Sequence, residues 1–141
     1  MLKRLRQAVI SFLAGLLLFG IAPQAFAVAY SGWINLGTTN GVTYKGQAYT
    51  DTSGTPYVGG QLMGTNKDIP AGWGGTLGWL YRNDTLCVAG GAKYNSANVT
   101  VFANGVSGNC GSGRYNGIAR LDRWNGSTYE QTAQNSPYQN K

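Results

Sequence analysis

Five carboxylates make up the whole acidic inventory of this 141-residue chain: Asp51, Asp68, Asp84, Asp122 and Glu130. Glycoside hydrolysis would need two of them facing one another across a bond. Asp122 and Glu130 are the pair a hairpin can bring closest. Asn125-Gly126 lies between them, and Asn-Gly is the strongest two-residue hairpin signal because a type I′ turn needs φ > 0 twice. A two-residue loop there pairs Trp124 with Ser127, Arg123 with Thr128, Asp122 with Tyr129 and Leu121 with Glu130. Side chains alternate across a strand, so this register sends Asp122 and Glu130 to opposite faces, where they cannot share a substrate.

The other acids read as turn and loop residues. Asp51 stands in Asp51-Thr52-Ser53-Gly54, a string that resembles the active-site tetrapeptide of aspartic proteases, but no second Asp has a similar setting. Asp and Gly are turn formers in their own right. Asp84 follows Asn83 in an expected turn, and Asp68 precedes the loop Ile69-Pro70-Ala71-Gly72. The chain has no histidine, so the commonest general base and the commonest metal ligand are both missing. Ser and Thr are plentiful, yet no Ser-x-x-Lys string follows residue 27 to activate one. Two cysteines cannot assemble a thiolate–imidazole zinc site. No calcium loop occurs, and no Gly-Gly pair leads into Gly-Lys-Ser/Thr. The expectation is a protein without catalytic residues, cofactor or metal.

What remains is a surface chemistry of Tyr, Trp, Asn, Thr and Gly with a few Arg. Such a face stacks on sugar rings and hydrogen-bonds hydroxyls, and its rings give large contact area at low entropic cost. The segment Arg114–Tyr129 concentrates it. On a strand, Tyr115, Leu121 and Arg123 share one side, and Arg114, Arg120, Asp122 and Trp124 share the other, with Tyr129 opposite Asp122. The candidate binding face is Arg120, Trp124 and Tyr129, expected to be exposed. It is expected to be shallow, because roughly 114 residues rich in Gly have little volume to enclose a cavity. About two in three of the aromatic rings are expected inside, since Val, Ile, Leu and Phe are few.

The elements that must hold this face follow from patterning. Met1–Arg6 carries Lys3, Arg4 and Arg6, Ala8–Phe19 is apolar except for Ser11, and Pro23 and Ala25-Phe26-Ala27 follow. These are the three parts of a secretory signal peptide, expected to be cleaved after Ala27. The apolar run is shorter than the roughly 20 residues that span hydrocarbon, which argues against an uncleaved anchor, and no second long apolar stretch occurs, so no stable membrane insertion is expected after cleavage. Loss of the three basic residues leaves eight basic against five acidic residues, a net charge of +3 in place of +6. That charge, with no dense Lys/Arg cluster, does not indicate nucleic acid.

Beyond residue 27 the chain alternates with period two and lacks helical periodicity. Expected strands are Tyr30–Leu36, Val42–Thr50, Pro56–Met63, Gly72–Arg82, Thr85–Ala89, Asn98–Ala103, Arg114–Trp124 and Ser127–Thr132. The fold class is all-β, a single small antiparallel β-sandwich or barrel of about 7–8 short strands. Residues 28–132 form the β-domain, and residues 133–141 a polar C-terminal tail, loose or added as a last edge strand. Cys87 and Cys110 are expected to pair in an oxidising compartment. The bridge would close a loop of roughly 24 residues, valued at about 3.5 kcal/mol.

By layout the chain resembles small exported β-rich proteins of Gram-positive bacteria. Arg123-Trp124-Asn125-Gly126-Ser127-Thr128-Tyr129 followed by Ser136-Pro137 looks like their terminal hairpin. In size and texture, though not in a motif, it is also similar to the lactococcin 972 type of bacteriocin, a secreted β-sandwich that acts on the cell envelope. The functional expectation is a secreted, monomeric, non-enzymatic protein that binds cell-wall or extracellular polysaccharide. The alternatives are a bacteriocin-like envelope-active protein, or a hydrolase inhibitor using Asp68–Gly72 or Asn104–Gly113 as its loop.

Overall fold

A computed structural model describes residues 28–141. The expected signal segment Met1–Ala27 lies outside the described residues. The described chain is all-β, with eleven strands: β1 (Ala29–Tyr30), β2 (Ile34–Thr39), β3 (Val42–Asp51), β4 (Tyr57–Gly64), β5 (Gly74–Arg82), β6 (Thr85–Ala89), β7 (Lys93–Tyr94), β8 (Val101–Ser107), β9 (Arg114–Trp124), β10 (Tyr129–Asn135) and β11 (Gln139–Asn140). Three of these have two residues each, which leaves eight longer strands. They form two antiparallel sheets packed face to face. In the first, β3 and β4 are central, with β1 and β2 side by side on one edge and β8 on the other. In the second, β9 and β5 are central, with β10 and β11 beyond β9, and β6 and β7 beyond β5. The result is a sandwich open at its edges rather than a closed barrel.

The packing between the sheets combines a few large side chains with many small ones. Val42, Tyr44, Ala48, Thr50, Val58 and Leu62 point inward from the first sheet, and Thr76, Leu80, Tyr115, Ala119 and Leu121 from the second. They form two apolar clusters, one around Leu62, Ile69 and Leu121 and one around Val58, Leu80 and Tyr115. Glycines let the sheets approach here. A Cβ on Gly78 would come within 2.8 Å of the Val58 carbonyl oxygen in the opposite sheet, and one on Gly117 within 2.6 Å of a Val58 methyl. Polar groups on the inner faces are paired across the gap. Thr76 Oγ1 donates to the Asn104 carbonyl at 3.0 Å, Asn104 Nδ2 donates back to the Thr76 carbonyl at 3.1 Å, and Thr50 Oγ1 donates to Ser136 Oγ at 2.6 Å. Pairing of this kind removes the desolvation cost of burying such groups.

The expectation that two in three aromatic rings lie inside is overturned. Among the described residues only Tyr44 and Tyr115 are buried rings. The reason is steric: an interior narrowed by glycine has little room for more rings, so most of the remainder lie on the outer faces and edges, while Trp73 packs half-buried against one core cluster.

Turn chemistry sets the registers. Asn83 and Asp84 both have positive φ, 47° and 63°, and close β5 onto β6 as a two-residue loop. Asn40 and Gly41, at 48° and 78°, do the same between β2 and β3. The expected two-residue loop at Asn125-Gly126 is corrected. Trp124 pairs with Tyr129, so the loop holds four residues, and only Gly126 has positive φ. Asn125 stabilises it: its Oδ1 accepts from the backbone N–H groups of Ser127 at 3.0 Å and Thr128 at 2.9 Å. The register therefore moves by two, to Arg123 opposite Glu130 and Asp122 opposite Gln131. A shift of two preserves side-chain direction, so Asp122 and Glu130 still face opposite ways.

Residues 133–141 belong to the sheet rather than hanging loose. Ala133–Asn135 complete β10, β11 pairs with Arg114 and Tyr115, and Ser136 is buried, its Oγ accepting from Gly117 N–H at 2.7 Å. Cys87 and Cys110 form the disulfide, with Cα atoms 6.2 Å apart. It joins the edge strand β6 of one sheet to the segment leaving β8, the edge strand of the other.

Candidate functional site

The even-numbered residues of β9 face away from the core, and β5, β7 and β10 flank them. Arg120, Trp124 and Tyr129 all lie on this outer face of the second sheet, each partly exposed. Tyr129 is the hub. Its ring meets Trp124 edge-on at 5.1 Å and Tyr94 at 4.5 Å, and its hydroxyl donates to the Gly72 carbonyl at 2.5 Å. The four-residue loop places Trp124 directly opposite Tyr129, which the shorter loop would not have done.

An ion pair anchors the cluster. Arg120 Nε and Nη2 donate to the two oxygens of Asp122, each at 2.8 Å. Tyr94 Oη donates to Asp122 Oδ2 at 3.1 Å. Asp122 is fully buried under these two side chains, while a quarter of the Arg120 side chain is exposed. The hydrogen bond to Asp122 raises the pKa of Arg120, so the guanidinium is a fixed cation. Tyr94 comes from the two-residue strand β7 and pairs with Gly75. A Cβ on Gly75 would lie 2.5 Å from the Tyr94 ring, so the ring rests on bare backbone. Sequence reading did not single out Tyr94. Its signal is a tyrosine in a short segment that can pair with the Gly74-Gly75 stretch, and only the register reveals that.

Farther along the same face, a cleft of about 380 Å³ opens between Tyr81 of β5, Asn116 and Ile118 of β9, Asn135 of β10 and Tyr138, with Asp84 at its end. It is an open depression in the face rather than an enclosed cavity.

The outer face of the first sheet carries a second aromatic group that the sequence reading passed over. Tyr30, Tyr49 and Tyr57 form a row with ring centroids 5.6 Å apart at each step. Tyr49 pairs with Gly59, and a Cβ there would fall 2.8 Å from both the Tyr49 and Tyr57 rings. Gly105 lies next across the sheet, under the Tyr57 hydroxyl. Rings laid over cross-strand glycines are a known way of covering backbone on a sheet.

The remaining residues of interest have structural partners. Arg123 points inward, donating to the Leu36 carbonyl and to Thr132 Oγ1 at 3.2 Å, with Glu130 at 3.7 Å. Asp51 accepts from Ser53 N–H at 2.8 Å, and Asp68 accepts from Thr100 Oγ1 at 2.7 Å. Of the two segments considered as inhibitory loops, Asn104–Ser107 lies within β8, and Asp68–Gly72 is pinned by Ile69, which is fully buried and bridged to Val99.

The tyrosines give this protein an alkaline limit. Burial raises the pKa of Tyr44, Tyr49 and Tyr94 above the ordinary value of 10.0, aided by the Tyr57 hydrogen bond at Tyr49 and the Asp122 charge at Tyr94. The fold thus favours the neutral phenols. Their contribution is complete below pH 10 and is lost as pH climbs from there through the folded values. Ultraviolet titration of tyrosinate is expected to show a late step, from the tyrosines held above the ordinary value, coincident with loss of β circular dichroism. One uniform transition of all nine tyrosines in an intact fold would contradict this.

Comparison with protein families, curated proteins and solved structures finds no match to the chain.

Proposed function

We propose that this is an exported, non-enzymatic protein that binds a cell-wall or extracellular polysaccharide along the outer face of its second sheet. The observation that carries the reading is the arrangement of Trp124, Tyr129 and Tyr94 beside the Arg120–Asp122 pair. Rigid aromatic rings beside a guanidinium held in place by a buried carboxylate offer stacking surface and oriented hydrogen-bond donors at low ordering cost. The proposed non-enzymatic character rests on the employment of the carboxylates. Asp122 is committed to Arg120 and Tyr94, and Glu130 lies on the opposite face beside Arg123 and Thr39.

Retention on isolated cell walls and on immobilised glycans tests the proposal. The wild-type protein is expected to be retained, and Trp124→Ala to weaken retention about tenfold, the loss of one good aromatic contact. Trp124→Phe should recover part of it, with circular dichroism verifying the fold of each variant. Unchanged retention in Trp124→Ala would remove this face from consideration. Glycan hydrolysis abolished by replacing a single Asp would overturn the non-enzymatic assignment.

A further inference from the structure

We infer that the cleft between Tyr81 and Tyr138 is a subsite for one neutral sugar ring at the end of a glycan chain. The inference rests on the glycan-binding reading and adds to it a polarity and a terminus.

The first argument is charge. Asp84 stands at the end of the cleft, but Arg114 Nη2 lies 3.0 Å from its Oδ2. The pair cancels, so the cleft offers no net charge to an anionic or cationic ligand.

The second argument is an excess of acceptors. Asn116 Oδ1 is buried and has no hydrogen-bond partner. Each Asp84 oxygen takes one donor, from Arg114 or from the Tyr138 hydroxyl at 2.9 Å, and a carboxylate oxygen can accept a second. A buried acceptor without a donor is costly, and rotation of the Asn116 amide toward the cleft would let a bound hydroxyl relieve that cost. The complementary ligand is neutral, dense in hydroxyl donors, and apolar on one side to meet Ile118 and Tyr81. A pyranose ring has these properties. The volume lies at the lower end of the range for small-molecule sites and suits a single ring better than a longer ligand.

The third argument is position. Asn116 and Ile118 lie on the same side of β9 as Arg120 and Trp124. Eight residues of strand from Asn116 to Trp124 span roughly 26 Å, room for an oligosaccharide between the cleft and the aromatic cluster. Past the cleft the path is walled. Arg114 sits over the Tyr138 ring at 4.1 Å, and Tyr138 is tied to Asp84. A chain lying along the face would run into this wall, so the ring in the cleft is its last.

The test uses the purified protein and two readouts. Backbone and side-chain amide NMR spectra are recorded with glucose, galactose, mannose and N-acetylglucosamine as separate probes, and Trp fluorescence is followed with the corresponding oligosaccharides and polymers. At least one monosaccharide is expected to shift the amide signals of Asn116 and Asn135. Asn116→Ala should weaken that response about tenfold, the loss of a hydrogen bond near the strong end of the range. Tyr81→Ala serves as an independent variant should Asn116→Ala fail to fold. Oligosaccharides should engage both readouts, and polymers lengthened by blocking groups at their ends should lose the cleft signal. Polymer binding at Trp124 with no monosaccharide response at Asn116 would overturn the inference and leave the glycan-binding reading standing. Monosaccharide response at the cleft with a silent Trp124 and no polymer retention would overturn the glycan-binding reading and the terminal placement with it, leaving a monosaccharide site alone. Preferential response to a charged probe such as glucuronate or glucosamine would also overturn the inference.

Discussion

Reduction of the Cys87–Cys110 bridge is expected to destabilise the domain by about 3.5 kcal/mol, the entropy of releasing a loop of roughly 24 residues in the unfolded chain. For a domain near 100 residues that corresponds to a fall of roughly 15 °C in the unfolding midpoint. The position of the bridge makes a large effect reasonable. It joins the edge strand β6 of the second sheet to the segment after β8 of the first, where the sandwich is otherwise open. The same segment has a second anchor. Tyr115 Oη accepts from Cys110 N–H at 3.1 Å and donates to the Gly111 carbonyl at 2.5 Å from inside the core. The reduced protein should therefore remain folded at room temperature. Thermal unfolding by circular dichroism, with and without dithiothreitol and in a Cys87→Ala/Cys110→Ala variant, measures the effect. A midpoint that moves by only a degree or two would show that the bridge does not constrain the chain as argued.

Replacing Asp122 with Ala is expected to cost on the order of 2–3 kcal/mol and to abolish binding on the outer face. Breaking a buried ion pair by removing one partner costs roughly 3–5 kcal/mol, because the other charge is left uncompensated. The lower figure applies here because Arg120 keeps a quarter of its side chain in water and can recover some hydration. The loss extends past the pair. Tyr94 loses the acceptor for its hydroxyl, and with it one of the contacts that fix its ring against Tyr129. Replacing both members with apolar residues, Arg120→Met with Asp122→Leu, should recover most of the stability, since a well-packed apolar pair often equals a buried ion pair. It should not recover binding. Urea denaturation and glycan retention on the single and double variants separate the two effects. A double variant that regained stability and still bound glycan would show that the ion pair serves only the fold.

Much of the architecture was legible in the residues. The period-two alternation of Arg114–Trp124 marked a strand with the bounds it has in the structure and assigned its two faces correctly to each other. Asn83-Asp84 announced a tight turn, and both residues take the left-handed conformation that such a turn requires. The placement of Arg120 with Asp122 and Trp124, and of Leu121 with Tyr115 and Arg123, follows from alternation alone.

Other features did not follow. Asn104-Gly105 looks like a place for a strand to stop, yet β8 runs through it from Val101 to Ser107. The reason lies elsewhere in the chain. Asn104 is paired to Thr76 of the opposite sheet, and Gly105 leaves space beneath the Tyr57 hydroxyl. Asn125-Gly126 carries the dipeptide signal for a two-residue loop, but Asn125 spends its amide oxygen on the N–H groups of Ser127 and Thr128 and opens the loop to four. The cluster of Trp124, Tyr129 and Tyr94 is a product of that register, and Tyr94 enters it from a segment distant in sequence.

The sequence by itself determined that the chain is a β protein, which residues share a side of each strand, and which two cysteines can bridge. These are local matters of alternation, turn propensity and count. Tertiary structure alone decided which side is buried. On β5, hydropathy favours the side of Leu77, Trp79 and Tyr81, yet Gly74, Thr76, Gly78 and Leu80 face the core. The deciding quantity is the distance between two sheets. Val58, Leu62 and Leu121 fill the interior against bare backbone at Gly60, Gly78 and Gly117, and Tyr44 and Tyr115 are the buried rings among the described residues. Rings excluded from the core then settle on glycines of the outer faces. A strand's own residues cannot report that distance, because it depends on the volume of side chains on the sheet across from it.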